Sequence, residues 1–148
     1  MSNITGTIKS IQDIMRKDVG VDGDAQRLSQ LVWMFFLKIY DDREKEIELL
    51  EDDYTSPLPD HLRWRNWATD PEGITGDSLS NFVNLNLFPT LKNKLILEGS
   101  TGKQAQIIKD FFEDAYNYMK SGTLMRQVIN KLITEEDLYG AVESAFSQ

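Results

Sequence analysis

Seven consecutive apolar residues, Leu31 to Leu37, sit inside QRLSQLVWMFFLKIYDD (26–42), a run that stops abruptly at acid. Hydrophobic all round, such a segment predicts a helix buried on most sides, the hub of a small helical domain. Asp24 is a plausible N-cap for it. Beyond Tyr40 the pattern turns charged, with Ile47 and Leu50 three apart. The helix either runs on to about residue 52, its exposed half solvated by DDREKEIE, or breaks near Asp41.

Amphipathic helices are expected to wrap this hub. Ile4, Ile8, Ile11 and Met15 recur at helical spacing and predict a helix over 5–17, broken by DVGVDGD (18–24). Pro57 and Pro59 rule out regular structure over 54–61. LRWRNWA (62–68) is short and aromatic-rich, and 70–76 is loop. Asp77 is a good N-cap for a helix carrying Leu79, Phe82 and Val83 on one face. Pro89 marks a boundary after Phe88, and 90–99 gives a short helix ended by Gly99. Thr101 and Gln104 form a capping-box pattern opening a helix through about Lys120. Gly122 suits a C′ position. Residues 124–133 form another helix, and Thr134 with Asp137 opens a last one toward Phe146. No alternating strand pattern appears, so the expected fold class is all-α: one compact multi-helix bundle over 1–148 around a buried central helix.

Composition narrows the picture. With 148 residues, 41% of them hydrophobic, the chain suits one domain with a real core. No apolar run reaches membrane-spanning length. The first residues do not resemble a signal peptide. The absence of cysteine removes disulfides and thiolate chemistry and makes a cytoplasmic location the expectation. The net charge of −8 is concentrated: residues 41–60 hold nine acids against Arg43 and Lys45, a net of −7. Another face is therefore free to be neutral or basic.

Most candidate chemistry fails on spacing. GSTGK (99–103) is not a phosphate loop, because Leu97 stands where the first glycine belongs and Gln104 where Ser or Thr belongs. In 18–24, Asp18, Asp22 and Gly23 match a calcium loop, but Gly20 and Ser29 occupy positions that require oxygen ligands. The acidic run 41–53 reads as a solvated helix face. His61, the single histidine, supports neither a zinc site nor a Ser–His pair. RWRNW (63–67) carries two readings. Arginines interleaved with aromatics can stack on bases and neutralise phosphates. Alternatively, Trp64 and Trp67 pin a loop to the core while the arginines face water.

DGDAQRLSQLVWMFFLKIYDDREKE, LRWRNWA, TGDSLSNFVNLNLFPTLKNKL and SGTLMRQVINKL together resemble the N-terminal helical domain of the modification subunit of type I restriction–modification systems, over roughly residues 8–133. The resemblance implies a piece of a DNA adenine-N6 methyltransferase subunit, working with a specificity subunit and a second modification subunit on double-stranded DNA. S-adenosylmethionine is then the methyl donor of the full-length family member. Catalysis in such enzymes needs a Gly-rich cofactor loop and an Asn/Asp-Pro-Pro-aromatic motif to hold the flipped adenine. The four prolines here are never adjacent, so neither a catalytic residue nor a cofactor is expected in this chain. The domain is then a non-catalytic N-terminal fragment, or a truncated gene product, contributing to DNA engagement, methylation-state sensing and subunit assembly. The alternative is a pure protein-interaction module. Candidate DNA contacts are Arg63 and Arg65, followed by Lys92, Lys94 and Arg126.

Overall fold

The computed structural model describes residues 2–134, and they are helical with no strand among them. Helix α1 spans Ser2–Arg16 and α2 spans Asp24–Leu50. A 3-10 turn, Asp60–Leu62, leads into the single-turn α3, Trp64–Trp67. Then come α4 (Gly76–Asn81), a π-helical turn (Phe82–Leu87) and α5 (Phe88–Asn93). Helices α6 (Gly102–Glu113) and α7 (Gly122–Thr134) are the last among the described residues. The helix expected from Thr134 toward Phe146 lies outside the described residues.

The 27-residue α2 is unbroken at Asp41. At 1.5 Å per residue it is about 40 Å long. It turns inward one narrow stripe: Gln30, Trp33, Met34, Leu37, Asp41 and Glu44. The centre of that stripe is apolar and both ends are polar. Since side chains three or four apart share a face, the buried acids simply continue the row begun by Trp33 and Leu37. The expectation of a solvated acidic face therefore holds for Glu46, which is exposed, but not for Asp41 and Glu44, which are 2% and 1% exposed.

The upper polar end is matched by an extended segment. Helix α6, expected to reach Lys120, stops at Glu113. The Lys92 ammonium explains the stop, donating to the carbonyls of Phe112 (2.7 Å), Glu113 (3.1 Å) and Ala115 (2.8 Å). A cation on the last carbonyls of a helix satisfies acceptors that have no intrahelical donor. Residues 115–121 then run extended past α2. Gln30 donates to Asn117 Oδ1 at 2.8 Å and accepts the Tyr118 N–H at 2.7 Å. Asp18 accepts the N–H groups of Gly20, Lys120 and Ser121 at 2.8–2.9 Å. Its carboxylate thus serves the backbone of a distant segment.

Local starts and stops differ from expectation by a residue or two. Gly23, at φ 96°, precedes α2, and Asp24 is its first residue, paired with Arg27. Thr75 precedes α4, with Asp77 in its first turn. Thr101 does precede α6, without a side-chain cap bond. Gly122 opens α7 rather than closing α6, because a Cβ there would lie 1.8 Å from the Gly76 carbonyl oxygen. Ser121 caps α7, its hydroxyl accepting the Leu124 N–H at 3.1 Å.

Pro89 does not end a helix. Residues 76–93 form one rod, and the Phe88 N–H reaches back five residues to Val83. In α register the proline ring would meet the carbonyl four residues earlier. The wider π turn just before Pro89 removes that clash. Leu79, Val83, Leu87 and Leu91, all at 0% exposure, face the core along the rod.

Arg126 of α7 is buried and organises the loop after α3. It donates to the carbonyls of Trp67, Ala68, Asp70 and Ile74 at 2.9–3.1 Å, and to Asn130 Oδ1 at 3.2 Å. Burial lowers its pKa, opposed by the Asp70 charge. Arg126→Met keeps the volume but orphans those acceptors, so a loss of roughly 3 kcal/mol is expected in urea unfolding with an unchanged m-value. A change under 1 kcal/mol would mean water replaces the guanidinium.

Candidate docking surface and the ion cluster beneath it

Asp41, Glu44 and Glu48 share one face of α2, and α3 sets two arginines against it. Arg65 donates through Nε to Asp41 Oδ1 and through a terminal nitrogen to Glu48 Oε1, both at 2.8 Å. Arg63 pairs with Glu44 Oε1 at 3.2 Å and with the other Glu48 oxygen. Tyr54 donates to Glu44 Oε2 at 2.7 Å. Five charges and a phenol thereby fasten 54–67 to the lower polar end of α2. Trp64 and Trp67 are buried, and the Trp67 indole N–H donates to the Leu62 carbonyl at 3.0 Å.

Local pKa values follow this geometry. Hydrogen bonds from Arg65 and Arg63 hold Glu48 below the usual carboxylate range. Burial pushes the Tyr40 phenol up to about 12, helped by the Glu44 charge. Burial and the bond to Glu44 also raise Tyr54. For Arg65, burial works against the charge, but Glu48 and Asp41 outweigh it and raise the pKa.

These contacts locate the candidate DNA cations. Arg63 and Arg65 are committed to acids of α2, Lys92 to the end of α6, and Arg126 to the 67–74 loop. Lys94, just past α5, is exposed and has no ion pair among the described residues. The five do not gather into one basic face. In RWRNW the tryptophans pin the loop, as one reading held, but the arginines on either side of Trp64 face carboxylates, not open water. Among the described residues no three His, Cys, Asp or Glu side chains gather closely enough to hold a metal.

The outer side of α2 carries the other feature. Leu28, Leu31, Val32, Phe35, Phe36 and Ile39 line a groove of about 520 Å³, with Tyr40 and Arg43 at one end. Ile8 of α1 and Phe111 of α6 contribute the walls. Leu28 is 63% exposed and Val32 43%. The apolar run is thus not buried on most sides: α2 has two apolar stripes, and the described residues cover one. The sequence signal was present, since Leu28, Val32, Phe35 and Ile39 keep helical spacing beside the Trp33–Leu37 row. Phe36 stacks on Phe111 with centroids 4.0 Å apart, giving the groove an aromatic floor.

The described residues thus form an all-α domain with an open apolar groove on one side of α2 and a cluster of three carboxylates and two arginines on the other. The model of the HsdM N-terminal domain matches residues 4–132, and the chain belongs to that family. It is 60% identical over 130 residues to the type I restriction enzyme EcoEI methylase subunit of Escherichia coli. That match covers 88% of this chain and 26% of the relative, so the chain spans about a quarter of the relative's length. Among solved structures, it is similar to a modification subunit assigned to a type I restriction enzyme from Vibrio vulnificus YJ016. There the TM-score is 0.82 at 29% identity, over 99% of this chain and 34% of that one. A chain from work on complex assembly and conformational transition of the type I R-M system gives a TM-score of 0.75 at 27% identity, over 89% and 26%.

The ion cluster makes stability depend on acid. Glu48 has a lowered pKa in the folded state, so its contribution is present above the unfolded carboxylate value and is lost as pH falls through the folded one. Unfolding free energy should therefore drop below about pH 4.5, and Glu48→Gln should flatten that drop. Equal slopes in the two proteins would show that Glu48 is not a source of it.

Proposed function

We propose that this domain is the non-catalytic assembly piece of a type I restriction–modification DNA adenine-N6 methyltransferase subunit. The observation that carries the reading is the groove on α2. Single domains seldom leave a contiguous apolar face in water, and covering Leu28, Val32 and Ile39 is favourable in proportion to the area removed from it. An amphipathic element laid along a helix face is a common way to cover such a groove. The partners on this reading are the specificity subunit and a second modification subunit, and the place of action is the cytoplasm. Among the described residues no helix is long and apolar enough to cross a membrane.

Methyl transfer belongs on this reading to a catalytic domain in another segment of the longer polypeptide. S-adenosylmethionine supplies the methyl group when bound. The groove brings Tyr40 and Arg43 as its polar side chains and no carboxylate to hold a ribose, so its residues do not fit that cofactor.

DNA engagement and methylation-state sensing form a second reading, favoured by the exposed Lys94. Arg63, Arg65, Lys92 and Arg126 would reach phosphate only by giving up the partners described above.

Val32→Glu, at a half-open position, should leave the fold intact and cut co-purification with the specificity and second modification subunits at least tenfold, about 1.4 kcal/mol. Unchanged co-purification places the docking surface elsewhere. In the assembled enzyme, Lys94→Ala should reduce the slope of log affinity against log salt by about one if that lysine meets a phosphate. Arg63→Ala and Arg65→Ala should leave the slope unaltered, and a reduced slope would return both to the DNA face.

A further inference from the structure

We infer that the groove on α2 receives α2 of a second copy of this chain, laid antiparallel across it. The inference rests on the reading of the groove as a docking surface and names its occupant. Its support is the order of charges, and of raised and recessed apolar positions, along one helix.

Charge comes first. The row that carries Leu28, Val32, Phe35 and Ile39 begins one turn earlier at Asp24 and ends one turn later at Arg43. Among the described residues, the Asp24 side chain is 88% exposed and that of Arg43 57%. Their ion partners, Arg27 and Glu46, lie on the same helix. The apolar row is thus acidic at one end and basic at the other. A parallel copy sets like charges level with each other. An antiparallel copy sets Asp24 level with Arg43 of the second copy, and does so at both ends. Opposite charges at the rim of an interface fix orientation and register more than they add affinity.

Shape asks for the same register. With Asp24 level with Arg43 of the second copy, Leu28 falls level with its Ile39 and Val32 with its Phe35. Leu28 and Val32 are the exposed members of the row, and Phe35 and Ile39 are half-buried. The projecting pair on each copy thereby meets the recessed pair on the other, as ridges enter grooves when helices pack.

The contact is small. Asp24 to Arg43 spans about 29 Å and a helix is about 10 Å wide, so each copy contributes on the order of 300 Å². Stable complexes bring ~800 Å² per partner. Free chains therefore pair weakly, whereas two copies held in one assembly pair at high effective concentration.

The chain has no cysteine, so a single introduced thiol reports the register. The test mixes Leu28→Cys and Ile39→Cys forms of the full 148-residue chain with a short bis-maleimide linker and follows the cross-linked dimer by mass. Expected is severalfold more cross-linking in the mixture than in Leu28→Cys alone, whose two thiols stand about 16 Å apart along the axis of an antiparallel pair. Adding Arg43→Asp to both forms should lower the yield of the mixture severalfold while helical circular dichroism stays unchanged. Equal yields from the mixture and from Leu28→Cys alone would overturn the proposal. So would an absence of cross-linked dimer, or a yield indifferent to Arg43→Asp. Co-purification of Val32→Glu with the specificity subunit reports on the assembly reading separately: a loss there without cross-linking means that the groove docks another occupant and only the self-pairing falls.

Discussion

A helix can bury a polar side chain only where something else supplies its hydrogen bonds, and α2 buries three on its inward stripe. Gln30 at one end, and Asp41 and Glu44 at the other, bracket the apolar centre of Trp33, Met34 and Leu37. Each end demands its own partner. Asn117 and the Tyr118 N–H answer Gln30, and Arg63, Arg65 and Tyr54 answer the acids. Unpaired buried polar groups cost roughly 1–3 kcal/mol each, and more when charged. The apolar centre tolerates small slides of the surrounding helices; the polar ends do not. They set where the extended segment and α3 sit along α2.

The same constraint explains what could be read in advance. The helical class and the helices α1, α2 and α7 follow from spacing alone, because apolar periodicity reports directly on a packed face. Asp41 and Glu44 were hidden inside an acidic run, and composition averages over faces. Read as a continuation of the Trp33–Leu37 row, they stand at core positions, which already asks for arginines nearby. The early end of α6 was not legible, because it depends on Lys92, ten residues before the helix begins. Pro89 pointed to the right place for the wrong event: it marks a change of winding, not an end.

The candidate site divides in the same way. Arginine beside tryptophan is ambiguous in sequence, since a guanidinium matches phosphate and carboxylate alike. The deciding fact is long-range: three carboxylates on a helix twenty residues earlier already face Arg63 and Arg65. The groove was half legible. A run apolar in every direction is wider than one core-facing stripe, and the surplus had to face something. What it faces could not be read from the run itself.

The π turn in the 76–93 rod bears on how hydrophobic spacing is interpreted. In an ordinary α-helix a side chain four places on has drifted about 40° around the axis. A column such as Leu79, Val83, Leu87 and Leu91 would then spiral away from whatever it packs on. Slower winding over Phe82–Leu87 cancels much of that drift and keeps the column straight. A strict period of four, which looks like an imperfect helical repeat, is here the correct repeat for a locally underwound rod. The sequence encodes pitch as well as face.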